Sequence, residues 1–158
     1  MPGSVKHGLV RGGVALPADR HQEDRHPAKR ARAVALGALD AFASDAKVPI
    51  KADVVLDSAG AATWATAMSA LRPGGRLVLC GGTAGSKVEL SLPRLFFGHH
   101  EVIGSTMGTF AEFEELTGLV AAGLPVIVDS IYPLADYPAA LERLAAGDQF
   151  GKVVLAHR

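Results

Sequence analysis

The stretch ADVVLDSAG at 52–60 constrains this chain more than any other feature: a nearly continuous apolar run of strand length that stops in small and polar residues. A strand packed on one face only alternates apolar with polar positions, whereas a parallel strand covered on both faces reads as an unbroken run. The same pattern returns in RLVLCGG at 76–82 and EVIGSTMG at 101–108, and strand-like runs follow in PVIVDSIYPL at 125–134 and GKVVLAH at 151–157.

Between these runs the apolar period becomes helical. AKRARAVALGA at 28–38 holds good helix formers, with Gly37 where a helix would stop. In AATWATAMSALRPGG at 61–75, Trp64, Met68 and Leu71 share a face, and Pro73, Gly74 and Gly75 are expected to end the helix. SLPRLFFGHH at 91–100 is a short helical candidate. Thr109 and Glu112 have capping-box spacing ahead of a helix whose Phe110, Phe113 and Val120 share a face. DYPAALERLAAG at 136–147 places Tyr137, Leu141 and Leu144 in register. Strand and helix alternating at this spacing predict an α/β fold, a partial doubly wound (Rossmann-like) parallel sheet with helices on both faces.

Residues 1–28 read differently. They carry Gly3, Gly8, Gly12, Gly13, Pro2, Pro17, Pro27 and the polar run DRHQEDRHP, with no sustained apolar period. An irregular or non-homologous segment over 1–28, ahead of a folded region over 29–158, is the expectation.

Composition excludes several function classes. Sixteen basic residues balance sixteen acidic ones, so no overall field draws nucleic acid or an anionic membrane. The single cysteine, Cys80, rules out an internal disulfide framework and a zinc site of several thiolates. No apolar stretch approaches the roughly 20 residues that span a bilayer, and the opening MPGSVKHGLVRGG lacks the apolar core of a signal peptide. A cytoplasmic, reduced setting is the expectation.

Ligands of open parallel sheets bind beyond the carboxyl ends of the strands. Three such ends carry small or polar residues, in 57–60, 80–83 and 104–107, where backbone groups can approach a flat ring or sugar closely. The competing reading is that short strand-to-helix turns simply favour Gly and Ser. His99 and His100 are adjacent, so their side chains point apart, and no third metal ligand lies near them in sequence. Cys80 reads as a buried packing thiol, and Asp57 and Glu101 as strand-end residues. No catalytic residue is identified.

ADVVLDSAG, ALRPGGRLVLCGGTAG, VIGSTMGTFAEFEEL and AAGDQFGKVVL follow one another in the order and spacing of a known cofactor domain. The chain thereby resembles, over about 29–157, the C-terminal part of the cofactor-binding domain of zinc-type (medium-chain) alcohol dehydrogenases and quinone oxidoreductases. The resemblance implies NADP or NAD as cofactor, held at its nicotinamide end by Ser58, Ala59 and Gly60, by Gly81, Gly82 and Thr83, and by Ser105 and Thr106. It adds Phe150, Gly151 and Lys152 from a block that folds back toward the cofactor, although Lys152 reads equally well as a surface lysine. A methyltransferase would share the LRPGGRLVL block but not VIGSTMG or FGKVVL.

The resemblance also implies parts that residues 1–28 do not supply. No strand–GxGxxG–helix precedes 28–38, and Gly12-Gly13 lacks a third glycine. Arg25 stands near where relatives preferring NADP place a basic residue, but Lys29, Arg30 and Arg32 read as a solvated helix face. With the central first strand missing, the 52–57 strand is expected to present an unpaired apolar edge and to favour self-association. The zinc ligands and substrate pocket of the family lie in a preceding domain not recognised here. A small-molecule substrate would be engaged only if that domain is supplied elsewhere. The expected function is the cofactor-binding portion of an NAD(P)-dependent oxidoreductase; the alternative is an inactive remnant or interaction module.

Overall fold

A computed structural model describes residues 7–10, 19–23, 26–43 and 46–157. The chain divides into two units, residues 1–107 and 108–158.

The first unit is built on a six-stranded parallel sheet: β1 (His7–Val10), β2 (Asp19–Glu23), β3 (Asp40–Phe42), β4 (Ala52–Asp57), β5 (Leu71–Leu79) and β6 (Glu101–Gly104). The spatial order is β3-β2-β1-β4-β5-β6, the order of doubly wound dinucleotide-binding sheets, in which the chain reverses direction across the sheet between β1 and β4. The helices of this unit are α1 (Pro27–Ala35), α2 (Ala61–Ala70) and α3 (Leu92–Phe97). The expected α/β fold with a parallel sheet is therefore present.

Two expectations about the N-terminal segment are corrected. Residues 1–28 are not irregular throughout, because β1 and β2 lie within them. Nor is β4 an open edge: β1 runs parallel beside it, with Gly8 opposite Val54, Leu9 opposite Val55 and Val10 opposite Leu56. Self-association through that edge loses its premise, and the sheet ends instead at β3 and β6. The physical reason is that pairing uses backbone groups, which carry no sequence signature in a strand as polar as DRHQE. Residues 11–18, with Gly12 and Gly13, and Arg25 lie outside the described residues.

The core forms where α2 lies on β4 and β5. Ala52, Val55, Ala67, Met68, Ala70, Leu71 and Leu77 are buried together, with Trp64 and Leu79 packed against them. The small side chains of Ala67 and Ala70 let the helix approach the sheet closely. Trp64 and Met68 reach the core from the helix as their spacing predicts, whereas Leu71, expected on the same helix face, joins them from β5. The helix ends earlier than expected, at Ala70, with Leu71 already extended. Pro73 disfavours helical backbone at Arg72. The Pro-Gly-Gly segment instead lies inside β5, where the register against β4 slips between Ala52 and Val54. Glu101 opens β6 and meets Arg76 across the β5–β6 ladder at 2.7 Å.

The second unit contains α4 (Phe110–Ala121), β7 (Val128–Pro133), α5 (Tyr137–Ala146) and β8 (Lys152–Ala156), with β7 and β8 paired in parallel. Thr109 and Glu112 form the expected reciprocal capping box: the Thr109 hydroxyl accepts from the Glu112 amide and the Glu112 carboxylate accepts from the Thr109 amide. No helix among the described residues is long and apolar enough to cross a membrane.

Burial predicts a graded response to truncation. Leu77 is 0% exposed, so Leu77→Ala is expected to lower the unfolding free energy by about 3 kcal/mol. Phe110, at 92% exposed, is expected to cost under about 0.5 kcal/mol when truncated. Urea unfolding of both variants beside the parent checks the contrast.

Candidate functional site

The tip of β4 is organised by one carboxylate. Asp57 is fully buried. Its Oδ1 accepts from the backbone amides of Ala59 at 2.7 Å and Gly60 at 3.2 Å, and its Oδ2 accepts from the Thr63 hydroxyl at 2.5 Å. The carboxylate therefore folds the Ser58–Ala59–Gly60 turn back on itself and ties it to the first turn of α2. Gly60 stands at φ +87°, and a Cβ there would lie 2.4 Å from the Gly85 carbonyl oxygen. No side chain fits that position.

The segment after β5 packs backbone to backbone on this turn. Cys80 donates its amide to the Asp57 carbonyl at 3.0 Å, and Ala84 donates to the Ala59 carbonyl at 2.8 Å. In return Ala61 and Ala62 donate to the carbonyls of Gly85 and Ala84, at 2.9 and 3.2 Å, and Thr63 donates to the Gly60 carbonyl at 3.0 Å. The amides from Ala59 to Thr63 all have partners within the chain. A helix N-terminus binds phosphate through amides left unsatisfied; α2 offers none.

Among the residues expected to hold cofactor, Ser58 and Ala59 are half-buried and Gly60 is buried, while Gly81, Gly82, Thr83, Ser105 and Thr106 are exposed. Ser105 donates its amide to the Leu79 carbonyl at 2.8 Å, so the chain leaving β6 stays beside the end of β5. Gly60, Gly81 and Gly82 meet at a cavity of about 270 Å³ whose apolar wall includes Trp64, Leu79 and Val88. The Trp64 ring is oriented by its Nε1, which donates to the Glu89 carbonyl at 3.0 Å. Ser58, Ala59, Thr83, Ser105 and Thr106 do not line this cavity. Cys80 is corrected from a buried thiol to an exposed one, because β5 ends at Leu79 and Cys80 begins the loop.

The remaining expected residues lie in the second unit. Phe150 is half-buried, and Gly151 and Lys152 are exposed. Gly151 stands at φ +109°, and a Cβ there would meet the Ile127 carbonyl oxygen at 2.4 Å. Lys152 donates its amide to that carbonyl at 2.9 Å. Beside it, Asp129 accepts from the Phe150 amide at 2.9 Å and from Arg143 Nε and Nη2, both at 3.0 Å. The Arg143 guanidinium, and after it the Phe150 amide, hold the Asp129 carboxyl far below the usual carboxylate range.

Asp57 and Asp129 were not singled out as organising residues by sequence. Each carried a signal: an aspartate inside, or at the end of, an apolar run needs a partner to stay there. Among the described residues no three His, Cys, Asp or Glu side chains are grouped as a metal site requires. Lys29 and Arg30 are half-buried and Arg32 is exposed.

With the geometry in place, comparison with known proteins is direct. A family model described as zinc-binding dehydrogenase matches residues 31–155. The chain belongs to the zinc-binding dehydrogenase family. Among solved structures, it is similar to a cobalt- and zinc-bound thermostable alcohol dehydrogenase from Pyrobaculum aerophilum, with 32% identity and a TM-score of 0.83, covering 96% of this chain and 50% of that one. An NAD-dependent alcohol dehydrogenase matches at 25% identity and TM-score 0.84, covering 97% and 51% of the two chains. A quinone oxidoreductase from Pseudomonas syringae pv. Tomato DC3000 matches at 26% identity and TM-score 0.76, covering 95% and 56%. The chain thus spans about half the length of these dehydrogenases.

Two outcomes are expected of the carboxylates. Asp57→Ala leaves two amides and a hydroxyl without their acceptor in a buried place and should destabilise the first unit by about 3 kcal/mol, read by thermal unfolding. Asp129 has a depressed folded pKa, so its contribution is present above the unfolded value of about 4 and is lost as pH falls below it. Acid unfolding of the second unit, followed by amide NMR signals, should therefore be less steep in Asp129→Asn.

Proposed function

We propose that this chain is the nicotinamide-binding portion of an NAD(P)-dependent oxidoreductase that moves a hydride between nicotinamide and an alcohol, carbonyl or quinone. The observation that carries this reading is the sheet order of a dinucleotide-binding fold in a member of the zinc-binding dehydrogenase family, with small residues at the tips of β4, β5 and β6. When bound, the nicotinamide supplies the hydride chemistry. The chain's own residues receive the ring and orient it. Gly81, Gly82 and Thr83 let a flat ring approach the backbone, and Ser105 and Thr106 offer hydroxyls to its carboxamide and ribose. The Gly60 turn and the 82–85 segment, locked by mutual hydrogen bonds, give this surface a fixed shape before ligand arrives. Phe150, Gly151 and Lys152 are proposed as dinucleotide-binding residues by their match to the family's terminal block.

The pyrophosphate is expected to gain little. The first amides of α2 are occupied, so that helix offers a phosphate no free donor. The same closure favours a second reading, in which the chain is a non-catalytic member of its family.

Titration separates the two. The sole tryptophan, Trp64, stands at the cavity and can transfer excitation to a bound dihydronicotinamide. Saturable transfer is expected with NADH or NADPH, and reduced nicotinamide mononucleotide should bind within about tenfold of the dinucleotide, a difference of about 1.4 kcal/mol. No saturable signal with any of the three would favour the non-catalytic reading.

A further inference from the structure

We propose that the cavity between α2 and the 81–88 segment is a second ligand site, separate from the strand-tip surface, for a small uncharged ring compound that carries one hydroxyl.

The cavity lies within the first unit, and its volume is about 270 Å³. An apolar cavity of about 150 Å³ already admits a benzene ring, so a single substituted ring has room here. Of the strand-tip residues expected to meet the nicotinamide, Ser58, Ala59, Thr83, Ser105 and Thr106 take no part in the lining. Gly60, Gly81 and Gly82 are shared, and they contribute backbone alone.

The walls are fixed. Gly60 and Gly85 both stand at positive φ, +87° and +117°. A Cβ on Gly85 would lie 2.7 Å from the Ala61 Cβ, and one on Gly81 would lie 2.6 Å from the Ser58 carbonyl oxygen. Backbone hydrogen bonds from Ala61 to Gly85 at 2.9 Å and from Ala84 to Ala59 at 2.8 Å hold the segment against the start of α2. The Trp64 indole is anchored by its bond to the Glu89 carbonyl. A void bounded by side chains closes as far as they can rearrange, and what stays open destabilises the fold. This one is bounded largely by tied backbone and an anchored ring, so it stays open.

The lining sets the chemistry of the occupant. Its side-chain walls are Trp64, Leu79 and Val88, and none of the described lining residues is charged. A charge moved from water into such surroundings finds no partner, so the occupant is neutral. Indole and aliphatic walls favour a ring. Ser86 supplies one hydroxyl, while the other polar side-chain group, Trp64 Nε1, is committed to Glu89. An apolar wall with one placed polar group is the pattern of a site that orients a small ligand. A simple phenol meets these requirements.

The test titrates the full chain, ¹⁵N- and methyl-labelled, with phenol. The Trp64 indole N–H and the Leu79 and Val88 methyl signals should shift saturably, with Kd on the order of 1 mM. Benzoate, the charged counterpart, should bind at least about tenfold more weakly. Ser86→Ala should weaken phenol about fivefold and leave benzene unchanged, as loss of one neutral hydrogen bond predicts. Val88→Phe, which adds a ring at a part-exposed position of the wall, should abolish the phenol shifts without lowering the melting temperature. Shifts that stay linear to the solubility limit, or that persist in Val88→Phe, overturn the proposal. Benzoate binding as tight as that of phenol, or Ser86→Ala without effect on phenol, overturns the ligand class. Displacement of phenol by saturating NADH also overturns it, because cavity and strand tips would then be one site, whereas joint binding supports it. A parent chain that binds phenol but not NADH defeats the function proposed above and leaves this site standing. Should Val88→Phe not fold, Ser86→Leu, at an exposed position, replaces it under the same criteria.

Discussion

The first unit depends on a buried aspartate at the end of a strand. Asp57 turns the chain from β4 into α2 by accepting from Ala59, Gly60 and Thr63, and the segment after β5 then closes over that turn with backbone hydrogen bonds in both directions. Everything offered to a ligand at these strand tips is backbone or a small side chain held by this arrangement. The same constraint removes the α2 N-terminus from use, because its amides are already satisfied. Rigidity of the tips and closure of a phosphate site are two consequences of one set of bonds.

The second unit repeats the device with different parts. There too an aspartate in an apolar strand accepts a backbone amide from a turn bearing expected cofactor residues, and a glycine that admits no side chain follows. The difference lies in the counter-group. Asp57 spends its oxygens on neutral donors of its own turn, whereas Asp129 is held by the guanidinium of Arg143. Its environment, unlike that of a solvated carboxylate, ties the local fold to pH on the acid side.

Much of this was readable in the sequence, and what was not has a common cause. The runs at 52–57 and 76–79 and the helix face of Trp64 and Met68 announce themselves because burial selects side chains. The capping box of Thr109 and Glu112 was legible because its donors and acceptors sit at fixed spacing. β1 and β2 were missed because HGLV and DRHQE take their places in the sheet through backbone pairing, to which the apolar period is blind. Asp57 reads only as a strand-end residue and Asp129 does not stand out, since their partners are backbone amides, the Thr63 hydroxyl and an arginine on the following helix. Cys80 was misjudged because the strand stops one residue before it.

Family membership and the doubly wound strand order together make a nicotinamide site at the tips of β4, β5 and β6 the central claim. The most direct test is amide chemical-shift mapping of the labelled chain with NADH. Shifts should concentrate at residues 58–60, 81–83 and 105–106 and saturate. Shifts that do not saturate, or that gather on Lys29, Arg30 and Arg32 while those tips stay unmoved, would contradict it.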